Sequence, residues 1–274
     1  MKKIVDDVLK SKKFSRLGKS YIESIVDDIY DSENLSNKKV YKIFLKKVKE
    51  FLHKTYSVYQ ISNASKKDSI MESMINSKSD AELVKLHLEM LHCHSSTRER
   101  KEFYEEVYEK IFDKIKKPKR ILDMGCGLNA FSLPFIGFEN FEYIGMDVGK
   151  EDTKLINSYL KLSKKLYNFV GKGIEVNVFD DNYLKKIPRG KFDVCFLFKM
   201  ADVLDYNGNH KNTEEFVKKV NSKNVIVSFP TRTISNRKMN NPRRKWFELM
   251  VRRLKYKFNY FEVENECFYI VKKI

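Results

Sequence analysis

The sequence predicts an α/β fold in two parts: an N-terminal α-helical domain over residues 1–92, and a Rossmann-like sheet with a terminal antiparallel hairpin over residues 93–274. Three observations predict it. Hydrophobic residues make up 42% of the 274 residues, which is enough for a packed core. Residues 1–92 contain no proline and a single glycine, Gly18. From about residue 100, apolar runs of strand length alternate with helical segments.

The N-terminal part has the spacing of amphipathic helices. Apolar residues recur at helical intervals in two stretches, namely Ile4, Val5, Val8 and Leu9, and then Tyr41, Phe44, Leu45, Val48, Phe51 and Leu52. Breaks that contain Ser, Asn and Asp lie near residues 31–37 and 62–68. This pattern predicts a small helical bundle.

The second part begins with a predicted polar helix over residues 100–115, which leads through Pro118 into the first strand. The predicted strands are apolar runs separated by helical segments, at residues 120–123, 141–147, 174–179, 192–198 and 225–229. Strands of this kind predict a mainly parallel sheet covered on both faces. Two final runs, 259–264 and 267–272, are joined by Asn265 and Glu266 and predict a hairpin. An α/β sheet that ends in this way is typical of class I methyltransferases.

A glycine-containing turn follows the first predicted strand and reads Asp123-x-Gly125-x-Gly127. Glycine is needed where the backbone approaches a cofactor closely or adopts positive φ. The turn alone fits any enzyme with a nucleotide cofactor. The third glycine of the dinucleotide fingerprint would fall at Ala130, which that motif tolerates.

Aspartates at successive strand ends narrow the choice of cofactor. Asp123 precedes the turn, where its charge would repel a pyrophosphate but would suit a cofactor that carries an ammonium and a sulfonium group. Asp147 is placed to accept both ribose hydroxyls, and Asp180 to accept from the adenine amino group. Each aspartate alone could equally be a helix N-cap or a turn residue. Together they predict S-adenosyl-L-methionine as the cofactor.

The formal charge of +17 predicts a polyanionic partner, and nucleic acid is the leading one. A lysine-rich genome could also give a high charge, but the stretch from Arg232 to Lys257 concentrates arginine and has ten basic residues against Glu248 alone. The planar fork of arginine suits phosphates and base edges. The sequence therefore predicts an RNA-binding segment here, at Arg232, Arg237, Lys238, Arg243, Arg244 and Lys245.

The absence of certain sequence features bears on where the protein is located in the cell and on whether it binds a metal. No apolar run approaches the ~20 residues that span a bilayer, the N-terminus has no apolar signal-peptide core, and four scattered cysteines form no disulfide pattern. A cytoplasmic protein that does not bind membranes is expected. The segment 92–94, His-Cys-His, has no second ligand pair at zinc spacing, so no metal is expected; a helix start capped by Ser96 or Thr97 is expected instead.

The expected reaction is methylation of a ring nitrogen. The fourth strand is followed by Phe198-Lys199-Met200-Ala201-Asp202 and not by the Asn/Asp-Pro-Pro-Tyr/Phe motif that orients an exocyclic amine. No Pro-Cys nucleophile for pyrimidine-C5 methylation is present, and Cys195 lies in an apolar strand that predicts a core position. Guanine N7 attacks without prior deprotonation, so positioning alone can suffice.

Residues 94–100, His-Ser-Ser-Thr-Arg-Glu-Arg, closely resemble the His-x-Ser-Thr-x-Glu-Arg segment of the aminoglycoside-resistance 16S rRNA guanine-N7 methyltransferases. The blocks 121–127, 196–200 and 227–232 agree with that family in order and spacing, and 266–270 looks like its last strand. The resemblance covers most of residues 80–274. Two segments depart from the family pattern: Ala201–Leu204 lacks a proline-containing run, and Thr233–Pro242 replaces a glycine-rich loop that we expect to recognise the target.

The resemblance implies roles for individual residues. Arg100 would pair with the methionine carboxylate of the cofactor, and Lys199 and Arg232 are the candidates for a catalytic role by positioning. Arg232 and the basic segment after it would face RNA, and N-terminal lysines would contact the ribosomal backbone. The full predicted cofactor-binding set is Arg100, Asp123, Gly125, Cys126, Gly127, Asp147, Val148, Asp180, Lys199 and Met200.

The expected function is methylation of guanine N7 in decoding-site 16S rRNA, within the 30S subunit, by a monomer. The flipped base would be held by the loops at residues 199–202 and 232–245. Methylation of another base, such as adenine N1, stays open, as does an RNA-binding protein that retains the fold without turnover. A small-molecule methyltransferase is disfavoured by the arginine-rich segment. Self-protection, acquired resistance and housekeeping stay open as physiological roles.

Overall fold

The computed structural model describes residues 1–15, 17–31, 34–62, 64–180, 182–206, 208–232 and 237–273. Five helices come first: α1 (Lys2–Leu9), α2 (Lys19–Ile29), α3 (Lys38–Thr55), α4 (Ala64–Asn76) and α5 (Asp80–His92). The first expected break lies between α2 and α3, where the Asn37 side chain caps α3 by accepting from the backbone N–H groups of Lys39 and Val40. The second expected break is shorter than residues 62–68, because α4 already begins at Ala64.

The five helices do not share one core. Helices α1–α3 enclose an apolar cluster of their own, around Ile22, Phe44 and Val48. Helices α4 and α5 instead place Met74 and Met90 in the same apolar cluster as one face of the sheet. The division of the chain at residue 92 stays a prediction. This packing is a reason to propose that the helical domain proper ends before α4.

The sheet has seven strands in the order β3-β2-β1-β4-β5-β7-β6. Its strands are β1 (Arg120–Met124), β2 (Glu142–Asp147), β3 (Val170–Glu175), β4 (Phe192–Phe198), β5 (Ser222–Pro230), β6 (Lys257–Val263) and β7 (Glu266–Lys272). Strands β1–β5 are parallel, whereas β7 is antiparallel to both β5 and β6. The predicted α/β fold, with a parallel sheet and a terminal antiparallel hairpin, is confirmed.

Alternate side chains of each strand point to opposite sides of the sheet, so both faces present apolar side chains. Helices cover each face. Ile121 of β1 contacts the cluster that includes α7 (Tyr104–Phe112) and α8 (Lys150–Leu166). Leu122, the next residue, contacts the cluster that includes α10 (Lys211–Lys219) and α11 (Lys245–Arg253). Two further helices are short: α6 (Ser95–Arg100) follows α5, and α9 (Ala201–Leu204) follows β4.

The third strand is displaced from its predicted position at residues 174–179. Strand β3 is an edge strand that ends at Glu175. It contains Gly171 and Gly173, which interrupt the apolar pattern by which a strand is recognised in the sequence. Glycine is required at Gly171, because an added β-carbon would lie 2.0 Å from the carbonyl oxygen of Tyr143. Residues 176–179, of which Val176, Val178 and Phe179 are apolar, form a loop beyond the strand.

The helix predicted over residues 100–115 is shorter in the structure, because α6 ends at Arg100 and α7 covers only Tyr104–Phe112. The expected N-cap at Ser96 or Thr97 is wrong: α6 begins at Ser95, after an extended His94 whose backbone pairs with Gln60. The Thr97 hydroxyl donates back to the carbonyls of Leu91 (2.6 Å) and His94 (3.1 Å). None of the helices in the described part of the chain combines the length and the apolar composition that a bilayer span requires.

Candidate functional site

The turn after β1 requires glycine. Gly125 and Gly127 have φ of +69° and +49°, a region that L side chains rarely adopt. The backbone N–H of Gly125 donates to the Met146 carbonyl at 2.8 Å, which fixes the turn against the end of β2. A β-carbon at Gly127 would lie 3.0 Å from the ring of His94. The turn is therefore closed on one side by β2 and on the other by the residue that precedes α6.

Asp147 lies at the end of β2 beside this turn. Its Oδ2 accepts from the backbone N–H of Gly127 and its Oδ1 from that of Gly149, both at 2.9 Å. Burial raises the pKa of the Asp147 carboxyl, while the two backbone donors oppose the shift. A carboxylate oxygen can accept more than one hydrogen bond, so Asp147 retains capacity for further donors.

Asp123 lies beneath the turn and is only 1% exposed. Its Oδ2 accepts from Asn129 Nδ2 at 2.7 Å and from the Tyr143 hydroxyl at 2.8 Å. No group in the described part of the chain donates to its Oδ1. Burial raises the pKa of Asp123 to about 6, against the two hydrogen bonds. An unpaired carboxylate oxygen at this place suits a cationic neighbour.

One cavity lies at the carboxyl ends of β1, β2 and β4, the edge of a parallel sheet where ligands bind. Five residues of the predicted cofactor set line it: Gly125, Asp147, Val148, Lys199 and Met200. The other walls come from the loop after β3, with Val176, Val178 and Phe179, and from Phe198. Residues of α2, of α3 and of the segment after α3, which together are called the helical part, also line the cavity: Tyr21, Thr55, Tyr56, Tyr59 and Gln60.

The residues of the helical part were missed by sequence reasoning. Tyr59 stacks on the His94 ring at 5.7 Å, and Tyr21 stacks on Phe179 at 6.4 Å. These contacts join α2 and the segment after α3 to the edge of the sheet. No local motif in residues 1–60 indicates them, because each depends on a partner far away in the chain.

Asp180 does not have its predicted place at a strand end. It lies five residues beyond β3, in a turn where its Oδ1 accepts from the Asn182 backbone N–H at 2.9 Å. Its Oδ2 accepts from Lys186 Nζ at 2.8 Å, and both contacts lower its pKa. It is not among the residues that line the cavity. The turn-residue alternative describes Asp180 in this structure.

Arg100 is 3% exposed and pairs with Glu266 of β7, the carboxylate that follows the hairpin turn. Its Nε donates to the Tyr104 hydroxyl at 3.3 Å, and its guanidinium lies 4.9 Å from the centre of the Phe198 ring. Burial alone would lower the pKa of Arg100. The neighbouring Glu266 carboxylate outweighs burial, so the pKa of Arg100 is raised above its ordinary value. Lys199 also contacts Glu266, at 3.5 Å.

A buried hydrogen-bonded chain joins Arg100 to Asp123. The Tyr104 hydroxyl donates to Asn129 Oδ1 at 2.7 Å, and the amide of Asn129 in turn donates to Asp123. Lys199 has φ of +54° and donates to Glu99, so its ammonium is held at the cavity wall by carboxylates. Arg100 and Lys199 are thus connected to Asp123 through one polar network. Besides Asp180, four members of the predicted cofactor set do not line the cavity themselves, namely Arg100, Asp123, Cys126 and Gly127.

The basic segment is divided between buried and exposed arginines and lysines. Arg244 is half-buried and donates to the carbonyls of Pro230 and Pro242, a structural role that the sequence did not predict. Arg243 pairs with Glu248 at 2.6 Å, with half of its side chain exposed. Arg237, Lys238 and Lys245 are exposed, and Arg232 is held by Asn265; residues 233–236 of the expected recognition loop lie outside the described residues.

The remaining reactive groups have core positions. Cys195 is fully buried in β4. Burial lowers the pKa of His94 to about 3, so its imidazole is neutral at physiological pH. Among the residues described, no three His, Cys, Asp or Glu side chains form a group that could hold a metal ion.

Comparison with known proteins agrees with this architecture. The family model described as Ribosomal RNA methyltransferase (FmrO) matches residues 26–270. The chain is 27% identical over 249 residues to the 16S rRNA (guanine(1405)-N(7))-methyltransferase of Proteus mirabilis, covering 86% of this chain and 83% of that protein. It is 23% identical over 240 residues to the enzyme of the same name from Micromonospora rosea, covering 84% and 82%.

Two solved structures share the fold over the full chain. The 16S rRNA methyltransferase RmtF in complex with S-adenosyl-L-homocysteine has a TM-score of 0.74 at 20% identity, covering 100% of this chain and 98% of that one. The 16S rRNA methylase RmtB has a TM-score of 0.72 at 22% identity, with the same coverage. Since the family model spans nearly all of the sequence, the chain belongs to the ribosomal RNA methyltransferase (FmrO) family.

Proposed function

We propose that this protein transfers the methyl group of S-adenosyl-L-methionine to N7 of a guanine in 16S rRNA, at the decoding site, as in aminoglycoside resistance. The observation that carries the proposal is the convergence of Gly125, Asp147 and Lys199 on one cavity in a chain of this family. The names of the related proteins support the base and the atom. The site acts in the cytoplasm on the 30S subunit, and the enzyme is a monomer.

The residues of the cavity fit the cofactor. Asp147 presents a carboxylate, already oriented by two backbone N–H groups, to the ribose hydroxyls. Val148, Val178 and Phe179 form an apolar wall that suits a flat heteroaromatic ring. The unpaired Oδ1 of Asp123 lies under the turn and favours a positive charge above it.

The opposite charge is supplied by Arg100. Its guanidinium is held rigidly by Glu266 and Tyr104, so little ordering remains when a carboxylate of the cofactor approaches. Lys199 and Met200 line the cavity where β4 ends, and they position the acceptor base. Cys126 lies buried under the turn and contributes backbone alone.

The chemistry needs positioning and no general base. When bound, the cofactor supplies an electrophilic methyl group on a sulfonium, and the N7 lone pair of guanine attacks in line with the bond that breaks. No proton leaves before attack. Arg232, Arg237, Lys238 and Lys245 hold the RNA by its phosphates, and N-terminal lysines add contacts to the backbone of the subunit.

Transfer of tritium from labelled cofactor to purified 30S subunits tests the proposal. Incorporation into 16S rRNA is the expected result. Binding to subunits without incorporation would indicate a protein that retains the fold without turnover. Incorporation at a base that resists borohydride and aniline would indicate a different acceptor, such as adenine N1.

A further inference from the structure

Lys67 and Asp152 are buried beside the cavity and contact Gln60 of its wall, and this group of three polar side chains takes no part in the proposed function. Lys67 of α4 donates from Nζ to Asp152 Oδ1 at 2.6 Å and to Gln60 Oε1 at 2.8 Å. Gln60 Nε2 completes the ring by donating to Asp152 Oδ2 at 3.0 Å. The side chains of Lys67 and Asp152 are 2% and 3% exposed. A buried ion pair of this kind is costly to form and costly to break.

The location of Asp152 links this group to Asp147. A β-carbon built at Gly149 would lie 3.3 Å from Asp147 Oδ1 and 3.5 Å from Asp152 Oδ2. One oxygen of each carboxylate therefore lies next to Gly149, and the two carboxylates are close to each other. Like charges so close disfavour the ionisation of each other, whereas the ammonium of Lys67 favours it. The pKa of Asp147 is raised first by burial and then by Asp152, and Lys67 opposes this.

We propose that Lys67 is a positioning residue of the cofactor site: it neutralises Asp152 and thereby keeps the neighbouring Asp147 carboxylate charged for the ribose. The inference rests on the proposed cofactor role of Asp147. It also assigns a role to Gln60, which lines the cavity and holds the two charges together. Lys67 is thus a lysine of α4 that serves the cofactor and not the RNA.

Among charged side chains, Asp152 and then Lys67 have the largest effects on the pKa of Asp147: Asp152 raises it and Lys67 lowers it. Asp147 in turn acts on Asp123, Cys126 and Tyr21, which come from other elements. The charges of Lys67 and Asp152 also act on the pKa of His94, but the His94 imidazole is neutral and adds no charge beside Asp147.

The two single substitutions have opposite expected effects. In Lys67→Met, Asp152 is left uncompensated beside Asp147 and a smaller fraction of Asp147 is ionised, so the Kd for S-adenosyl-L-homocysteine should rise, most at pH 6 and by up to about tenfold for each unit by which the pKa rises. In Asp152→Asn, Lys67 acts on Asp147 without opposition, and the Kd should stay the same or fall. The double variant Lys67→Met/Asp152→Asn lacks both charges, so its Kd should return to within about twofold of the original protein.

Calorimetric titration of S-adenosyl-L-homocysteine into each purified full-length variant, from pH 6 to 9, makes the measurement. The affinity of Lys67→Met should rise with pH more steeply than that of the original protein. The matched control is Lys85→Met, which removes an exposed lysine from α5 and should leave the Kd unchanged. If Lys67 only tied α4 to α8, Asp152→Asn would weaken binding as much as Lys67→Met, and the inference would be wrong.

A second readout needs no ligand. Carboxyl carbon NMR of aspartate-labelled protein, with Asp147 assigned by Asp147→Asn, should show the pKa of Asp147 higher in Lys67→Met than in the original protein. An unchanged pKa would overturn the inference even if the variant were less stable. Failure of the original protein to bind the ligand would instead refute the proposed function, so the two failures are distinguishable.

Discussion

Arg100 and Glu266 form a buried ion pair although they are 166 positions apart in the chain. Nη1 of Arg100 lies 2.8 Å and 3.1 Å from the two carboxylate oxygens of Glu266. The pair joins α6 to the terminal hairpin, and through Tyr104 and Asn129 it reaches Asp123 below the glycine turn. The last strand of the sheet therefore fixes a cation that the proposed mechanism uses at the cofactor.

Replacing Glu266 tests the importance of this pair. Glu266→Gln leaves the Arg100 guanidinium buried without its counter-charge, which should lower the free energy of unfolding by about 3–5 kcal/mol. Urea denaturation with and without S-adenosyl-L-homocysteine makes the measurement. The ligand should stabilise Glu266→Gln more than the original protein, because its carboxylate can replace the lost charge. Equal stabilisation would mean that Arg100 does not reach the ligand.

The glycine turn offers a matched pair of substitutions. Gly127→Ala places a side chain at positive φ and against the His94 ring, whereas Gly137→Ala places one at φ of +78° in open space. Both should lose about 1–2 kcal/mol of stability from backbone strain. Only Gly127→Ala should also weaken cofactor binding, because the strained turn shifts the backbone N–H that orients Asp147. Isothermal titration of both variants compares them, and equal affinities would argue against the turn as cofactor site.

Asp147 and Asp180 were predicted to bind the same cofactor, but the structure separates them. Asp147→Asn should raise the Kd for S-adenosyl-L-homocysteine by between about tenfold and a hundredfold, because a charged acceptor is lost. Asp180→Asn removes an exposed contact with Lys186 and should change that Kd less than about twofold. A large effect of Asp180→Asn would instead support the predicted contact with the adenine.

The raised pKa of Asp123 gives stability a pH dependence with a defined sign. The folded pKa is about 6 and the ordinary value is 3.8, so the folded protein holds the proton more tightly. The protonated carboxyl stabilises the fold at low pH, and this contribution is lost as pH rises from about 4 through 6. The total is about 3 kcal/mol.

Comparison with Asp123→Asn isolates this contribution, because the amide cannot titrate. The unfolding free energy of the original protein, minus that of Asp123→Asn, should fall between pH 4 and 7 in urea denaturation. A difference that stays constant with pH would show that Asp123 has an ordinary pKa in the fold. Addition of S-adenosyl-L-methionine should reduce the dependence, since a nearby cation favours the charged carboxylate.

The exposed lysines of the basic segment should contribute to RNA affinity and not to the cofactor. Lys238→Gln should weaken binding to 30S subunits and reduce its salt slope by about 1, if one phosphate contact is lost. Lys223→Gln is the control, because Lys223 lies at the opposite end of β5 from Arg232 and pairs with Asp193. Filter binding at several salt concentrations measures both. Equal slopes for the two variants would place the RNA elsewhere.

The sheet could be predicted from the sequence wherever strands are buried and apolar. Strand β4 was predicted at its exact bounds, since all but one of its residues are buried, but β3 was missed by about four residues because its glycines carry no apolar signal. Asp147 was predicted because it ends an apolar strand, and in the structure it lines the cavity. Gln60 and Lys67 could not be found, because their partner Asp152 lies 92 and 85 positions away.

The central claim is methyl transfer to guanine N7 of 16S rRNA. The most direct measurement is primer extension on 16S rRNA from 30S subunits that were incubated with the enzyme and S-adenosyl-L-methionine, then treated with borohydride and aniline. The account predicts one new strand break at a decoding-site guanine, which is absent when the cofactor is omitted. Methyl incorporation into the rRNA without any such break would contradict it.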